Sequence, residues 1–349
     1  MDKKGKHTRI LIIRLSAMGD VAMTVPIIRA LTSKYPQLQF TVLTKKLFMP
    51  IFMGMERVAV YEADITNRHK GLVGLWRLYQ ELKKLKFDAV ADLHNVLRSR
   101  VLQKYFALDR VPFEQIDKGR REKGALTRAR NKNFRQLKST HQRYADVFTA
   151  LGFPIDLSTA KLLERRQLSE KVLRLVRQDT KKWIGIAPFA AHEGKMYPLH
   201  LMQKIVRTLN NTNKYKILLF GGGKHEVQQL EEFSKSSENV MNMAGRLTLD
   251  EELELISNLD IMLSMDSGNA HLAANYGIPV VTLWGVTHPY AGFYPFGQPE
   301  ENALLADRDQ YPLIPTSVYG NKMPKGYEAA MESITPDKVL EKITKLLDP

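Results

Sequence analysis

Met265-Asp266-Ser267-Gly268-Asn269-Ala270-His271 closes the hydrophobic run at 259–263 and opens a run of small residues at 270–276. A second apolar run, Pro279-Val280-Val281-Thr282-Leu283-Trp284-Gly285, follows Gly277. Short apolar runs bounded by glycine read as buried parallel strands, so this unit is strand, loop, helix, strand. Its junction at 266–268 suits an anion such as a diphosphate. The N–H groups of a helix's first turn have no partner inside the helix, and they lie at the positive end of its dipole. Asp266 or Ser267 can supply the N-cap oxygen, and Gly268 lets a ligand approach the backbone closely. An ordinary Asp-capped crossover without any ligand fits the same stretch equally well.

The same rhythm extends outward in both directions. The first half opens with a strand at 10–15, a loop at 16–19 and a helix at 20–35 that Pro26 kinks early. A strand at 39–43, a helix at 72–85 and a strand at 89–93 follow, the last running through His94-Asn95 into a helix that includes Ser99. A helix at 142–151 is closed by Gly152 and Pro154, and a polar stretch at 163–170 marks the switch between halves. The second half repeats the alternation, with strands at 183–188 and 216–220 and helices at 199–209, 227–233 and 249–257 ahead of the opening motif. Strands alternating with helices predict an α/β fold with doubly wound parallel sheets, one per half, without a close internal repeat. Ligands of such sheets sit beyond the carboxyl ends of the strands, so two facing sheets would bind across a cleft.

With 349 residues, 44% of them hydrophobic, the chain can fill two cores. It has no cysteine, which excludes thiolate zinc sites, a cysteine nucleophile and disulfides, and is compatible with a reducing cytoplasm. The charged residues 1–9 lead into only four apolar ones, Ile10 to Ile13, so neither a signal peptide nor a membrane-spanning helix is expected and the chain should stay in the cytoplasm. A net charge of +15 favours acidic partners. Lys118, Arg120, Arg121, Lys123, Arg128, Arg130, Lys132, Arg135 and Lys138 crowd one segment against only Asp117 and Glu122. Such a run is usually a solvated, partly mobile face, and here it is also a candidate surface for an acidic acceptor. No nucleic-acid-binding signature accompanies it, and no nucleic-acid partner is expected.

Four loops at the carboxyl ends of expected strands carry suitable chemistry: 16–20, 190–195, 221–226 and 266–271. Asp20 at a helix start is either a cap or a general base. Lys195 is either a solvated loop lysine or a counter-charge for a diphosphate leaving group. His271, on the first turn after Gly268, could reach a phosphate or could simply pack. Gly221-Gly222-Gly223 fails the spacing of dinucleotide loops, and no phosphate-binding G-x-x-x-x-G-K-[ST] loop is present. Asp307-Arg308-Asp309 has a metal-binding D-x-D spacing but lies in a Pro-rich irregular region, where it reads as accidental.

Taken together, these residues resemble the heptosyltransferases of glycosyltransferase family 9, which transfer heptose from ADP-heptose to the inner core of lipopolysaccharide. The carriers are Ile13-Arg14-Leu15-Ser16-Ala17-Met18-Gly19-Asp20-Val21, Asp92-Leu93-His94-Asn95-Val96-Leu97-Arg98-Ser99, Lys195-Met196-Tyr197-Pro198, Gly245-Arg246-Leu247-Thr248-Leu249 and Asp266 to Ala274. Two departures stand out: Tyr197 replaces a Trp, and Ala187-Pro188-Phe189-Ala190-Ala191 lacks the hydroxyl the family often places near the phosphates. The resemblance implies a GT-B architecture of two facing Rossmann-like domains with a cleft between them. Residues 1–165 would bind the acceptor and residues 166–349 the nucleotide sugar, with the final helix able to pack back on the N-terminal domain. It further implies inversion at the anomeric carbon and no required cofactor or metal, a divalent ion being at most stimulatory. Asp20 would be the base and Lys195 the diphosphate partner. Glu226 would contact the ribose, and Asp266, Ser267, Gly268, Asn269 and His271 the sugar–phosphate end. Arg98, Arg120, Arg121 and Arg128 would meet an acidic glycolipid acceptor at the inner face of the cytoplasmic membrane, with peripheral contact to its anionic surface. The rivals are a family-9 transferase using another sugar nucleotide, a GT-B-shaped sugar-nucleotide epimerase with paired acid/base carboxylates, and a module that only binds.

Overall fold

Uninterrupted apolar runs become the centres of two all-parallel sheets in a computed structural model that describes residues 7–177, 179–235 and 237–348. Residues 1–6 of the charged N-terminus lie outside the described residues. The first compact unit comprises Met1–Lys118 and Thr140–Leu162, and the second Gly119–Ser139 and Leu163–Pro349.

In the first unit β1 (Thr8–Ile13), β2 (Leu38–Thr44), β3 (Val58–Glu62), β4 (Ala89–Asp92) and β5 (Phe113–Gln115) align in the order β3-β2-β1-β4-β5. Ile10 to Ile13 are wholly buried because β1 has neighbours on both sides and helices above and below. One layer packs Leu75, Leu78, Tyr79 and Leu82 of the helix Gly71–Lys83 against Leu11, Ile13 and Val90. The helix expected at 20–35 is two helices, Met18–Ala22 and Val25–Lys34. Pro26, which has no N–H to donate, falls at the start of the second, where none is needed.

In the second unit β6 (Lys182–Ala187), β7 (Tyr215–Leu219), β8 (Val240–Asn242), β9 (Ile261–Met265), β10 (Val280–Trp284) and β11 (Ala303–Leu305) align as β11-β10-β9-β6-β7-β8. The final helix, Pro336–Leu347, packs within this unit. Its stripe Val339, Ile343 and Leu347 joins Ile205 and Leu209 of the helix Leu199–Asn211 in one core. Residues 163–170 are docked rather than a free linker: Leu163 N–H donates to the Asn275 carbonyl, and Arg166 pairs with Asp250 at 2.6 Å.

The basic segment also departs from a mobile solvated face. It contains the helix Arg120–Leu126, and Leu126, Leu137 and Phe134 form a small core with Tyr290, Ala291 and Phe293 of the second unit. Lys123 is buried with its ammonium 4.0 Å from the centre of the Phe293 ring. Lys132 Nζ donates to the carbonyls of Leu313 and Pro315, both at 2.6 Å. Arg120, Arg121, Arg128 and Arg130 remain exposed.

Each sheet has one switch point, where successive strands run outward in opposite directions: between β1 and β4 in the first, between β6 and β9 in the second. Loops leaving the two strands diverge there and open a crevice at their carboxyl ends.

Candidate functional site

At the switch point of the first unit β1 delivers Arg14 and the loop to Asp20, while β4 delivers Asp92 to Asn95. Arg14 Nη2 lies 2.6 Å from Asp20 Oδ2, and Arg14 Nη1 donates to the Leu93 carbonyl at 2.6 Å. A guanidinium fixed at two ends in this way holds the carboxylate in one orientation. Asp20 Oδ2 also accepts from Ala17 N at 3.3 Å, which is the cap role, and the Tyr144 hydroxyl donates to the Asp20 carbonyl at 3.2 Å. Asp92 is fully buried and satisfied: Oδ1 accepts from the N–H groups of His94 and Asn95, and Oδ2 from Gln115. It shapes the turn that presents His94. Burial first, then the positive charges of Arg14 and Lys118, push the His94 imidazole down to about 3, so it is neutral at any ordinary pH. Arg98 follows on the helix Leu97–Leu108 with its side chain exposed.

At the second switch point β9 delivers Asp266 and β6 the loop that ends in the 3₁₀ turn Glu193–Lys195. Lys195 Nζ lies 2.7 Å from Asp266 Oδ2 and donates to the Asp266 carbonyl at 3.0 Å. Their side chains are 16% and 5% exposed, so this is a nearly dry ion pair. Thr287, just past β10, donates its hydroxyl to Asp266 Oδ2 at 3.0 Å. The stem of Lys195 runs over Gly320, where a Cβ would come within 2.6 Å of its Cγ. Val286 N–H braces the same loop through the Gly194 carbonyl at 2.9 Å.

The helix Gly268–Asn275 starts beside this pair. Its N-cap Ser267 makes no side-chain cap; its hydroxyl instead meets that of Ser264 at 3.0 Å. Ser267, Gly268 and Asn269 are part-exposed, whereas Ala270 to Asn275 are buried. The open first turn of the helix is therefore what a ligand would meet, with a lysine next to it. His271 is buried within the helix.

Glu226 stands in the first turn of the helix Lys224–Ser234 and accepts from Gly222 N at 2.6 Å, so it shapes the triple-glycine loop after β7. Asp307 Oδ1 accepts from Asp309 N at 2.8 Å, a local turn that accounts for the D-x-D spacing. Among the described residues no group of three or more His, Asp or Glu could hold a metal ion. Arg14, Tyr144 and Thr287 were not singled out by sequence reasoning. Arg14 stands within the motif 13–21 that carries the resemblance, without a role there, and a cation ending an otherwise apolar strand is the local signal for it.

The model of glycosyltransferase family 9 (heptosyltransferase) matches residues 75–313, well over half of the chain. The chain belongs to glycosyltransferase family 9. This family-9 chain is 25% identical over 285 residues to the lipopolysaccharide core heptosyltransferase OpsX of Haemophilus influenzae, covering 80% of each. Its fold superposes on that of a family-9 glycosyl transferase from Veillonella parvula with a TM-score of 0.75 at 18% identity, covering 98% of each chain. It superposes on ADP-heptose LPS heptosyltransferase II of E. coli with a TM-score of 0.69 at 21% identity, covering 97% of this chain and 98% of the other. The fold is thus GT-B, two parallel-sheet α/β domains, and the protein is a glycosyltransferase.

Proposed function

We propose that this family-9 enzyme is an inverting transferase that moves heptose from ADP-heptose to the inner-core acceptor of lipopolysaccharide. The observation that carries the reading is the Lys195–Asp266 pair beside the uncapped helix start at 267–269. Together these supply an ammonium and free N–H groups for a diphosphate, with a carboxylate for sugar hydroxyls. In the reaction an acceptor hydroxyl attacks the anomeric carbon as the bond to the diphosphate breaks on the opposite face. Asp20 takes the hydroxyl proton, and Arg14 holds its carboxylate in place. Lys195 and the N–H groups of the helix start take up the charge developing on the leaving ADP. The charge is met by the protein itself, so the step needs no metal. Glu226, half-buried at the triple-glycine loop, is the ribose contact. Arg98, Arg120, Arg121 and Arg128, all exposed, are the cations for the carboxylates and phosphates of the acceptor.

Two of the three proteins named above, from Haemophilus influenzae and E. coli, are heptosyltransferases, which favours heptose over another sugar and transfer over epimerisation. No helix among the described residues is long and apolar enough to cross a membrane. In this reading the enzyme meets its lipid-linked acceptor at the cytoplasmic face. A thermal-shift screen of sugar nucleotides tests the donor: a ligand at a hundred times its dissociation constant adds about 2.7 kcal/mol of stability. ADP and ADP-heptose should raise the melting temperature, while UDP-sugars and NAD should not. Stabilisation by UDP-sugars alone would refute the donor assignment.

A further inference from the structure

We propose that the neighbouring faces of the helices Gly71–Lys83 and Leu97–Leu108 form a docking surface for an anionic lipid bilayer. The proposal rests on the reading above that the acceptor is lipid-linked, and it assigns membrane contact to a surface distinct from the basic segment. At about 100° per residue, Leu72, Val73, Trp76 and Arg77 fall in one sector of the first helix, opposite Leu75, Leu78 and Leu82 in the core. Leu72 is 65%, Val73 78% and Trp76 42% exposed. Three large apolar side chains on one outer sector are more than scattered surface hydrophobics. The patch continues across to the second helix: the Trp76 and Tyr105 rings pack edge to face with centroids 5.0 Å apart, and the Tyr105 hydroxyl reaches the Leu72 carbonyl. Trp and Tyr side by side with aliphatic residues suit the boundary between headgroups and acyl chains, where each ring keeps an apolar body and a polar tip.

Charge identifies the occupant. Residues 68–110 hold ten Lys and Arg against four Asp and Glu. All four carboxylates are engaged. Glu81 binds the Tyr61 hydroxyl and Arg68, Asp88 accepts from Arg9 N, Asp92 is closed into its turn, and Asp109 pairs with Lys83 and Tyr79. The cations that remain on the outside include Lys70, Arg77, Lys84, Arg100 and Lys104, all exposed. An apolar wedge ringed by outward cations, with the nearby carboxylates already engaged by hydrogen bonds or ion pairs, matches an interfacial lipid surface of negative charge. The helix Leu97–Leu108 also begins just after His94, so a bilayer held here lies against the unit that carries Asp20.

The test uses the whole protein and vesicles of phosphatidylcholine, with or without an equal part of phosphatidylglycerol. Trp183 and Trp284 are buried away from solvent, so a shift in intrinsic fluorescence on vesicle binding reports Trp76. Binding to the phosphatidylglycerol vesicles with a blue shift, weakened by salt and much poorer on phosphatidylcholine alone, is expected. The variant Leu72→Gln/Val73→Gln, changed only at exposed positions, should bind those vesicles about tenfold more weakly or worse. It should also lose turnover on a vesicle-embedded glycolipid acceptor while keeping it on a de-acylated, water-soluble one. Absent vesicle binding, equal binding to neutral vesicles, or unchanged binding by the variant would overturn the proposal. So would wild-type self-association, by light scattering, that the variant abolishes, since the patch would then be a protein interface. If vesicle binding behaves as expected but the wild type transfers no heptose to the soluble acceptor, it is the heptosyltransferase reading that has failed.

Discussion

Replacing Lys195 with Met strips the cation from a carboxylate that is 5% exposed and leaves it only the Thr287 hydroxyl. Removing one partner of a buried pair costs about 3–5 kcal/mol. Lys195 itself is 16% exposed, which places the loss near the lower end, about 3 kcal/mol. For a unit of roughly 200 residues that lowers the melting temperature by about 6–12 °C, at about 2–4 °C per kcal/mol. Asp266→Asn should cost less, because the ammonium keeps the Asp266 carbonyl at 3.0 Å and can turn toward water. The double variant should then be more stable than the sum of the two losses predicts, by a coupling of about 1–3 kcal/mol. Calorimetric melts of the four proteins without ligand measure this cycle, and ADP titrations of the same four separate binding from stability. In the titrations Lys195→Met should lose most of the ADP affinity and Asp266→Asn little of it, because the lysine exchanges its carboxylate for the diphosphate when the donor arrives. Losses that add to within about 0.5 kcal/mol would mean that the two side chains do not hold each other in the free enzyme, and the preformed anion site would go with them.

Asp20→Asn should lower kcat by about 10²-fold or more and leave donor affinity intact, since the amide still accepts from Arg14 and Ala17 but takes up no proton; wild-type turnover at saturating substrates would reduce Asp20 to a cap. Acid should destabilise the fold through His94, held near 3 by burial and by Arg14, and through His288, held near 4 by burial and by Arg308 and Lys132. Both folded values lie below the unfolded one of about 6.5, so the unfolded chain binds more protons in that window. Stability is complete above pH 6.5 and falls as pH drops toward 4, by up to about 1.4 kcal/mol per pH unit for each histidine. Denaturant titrations of the wild type and of His94→Gln check this, and an equally steep acid loss in the variant would contradict the neutral buried imidazole.

The elements read correctly from sequence are those whose burial is uniform. β9 and β10 are wholly buried on both faces, so their apolar runs are unbroken and the helix between them is bounded by Gly268 and Gly277. The strands that went unseen are edge strands. β3 is half-exposed along its length and follows a 3₁₀ stretch around Pro50, while β5, β8 and β11 have three residues each, too few to show a period. The basic segment was misjudged because charge density is a local property and its anchors are not. Leu126, Phe134 and Leu137 find their partners at 290–293, more than 150 positions away along the chain.

The same contrast separates the legible part of the candidate site from the rest. A helix start, a glycine and a lysine at a strand's end are visible in a few consecutive letters, and all four chemical loops do leave strand ends. The partner each group finds is not visible, because it depends on which strands become neighbours. Lys195 meets Asp266 across 71 positions because β6 lies beside β9, and Arg14 meets the Leu93 carbonyl across 79 because β1 lies beside β4. Both adjacencies are the switch points of their sheets, where strand order reverses and no short connection enforces the pairing. Chain-local chemistry therefore names the groups, and sheet order decides whether a carboxylate or lysine is a cap, a counter-ion or a reactive group. That is why Asp20 and Lys195 each have two readings in the sequence, and why each is tied in the fold to a charged partner, Arg14 and Asp266, whose removal can be measured.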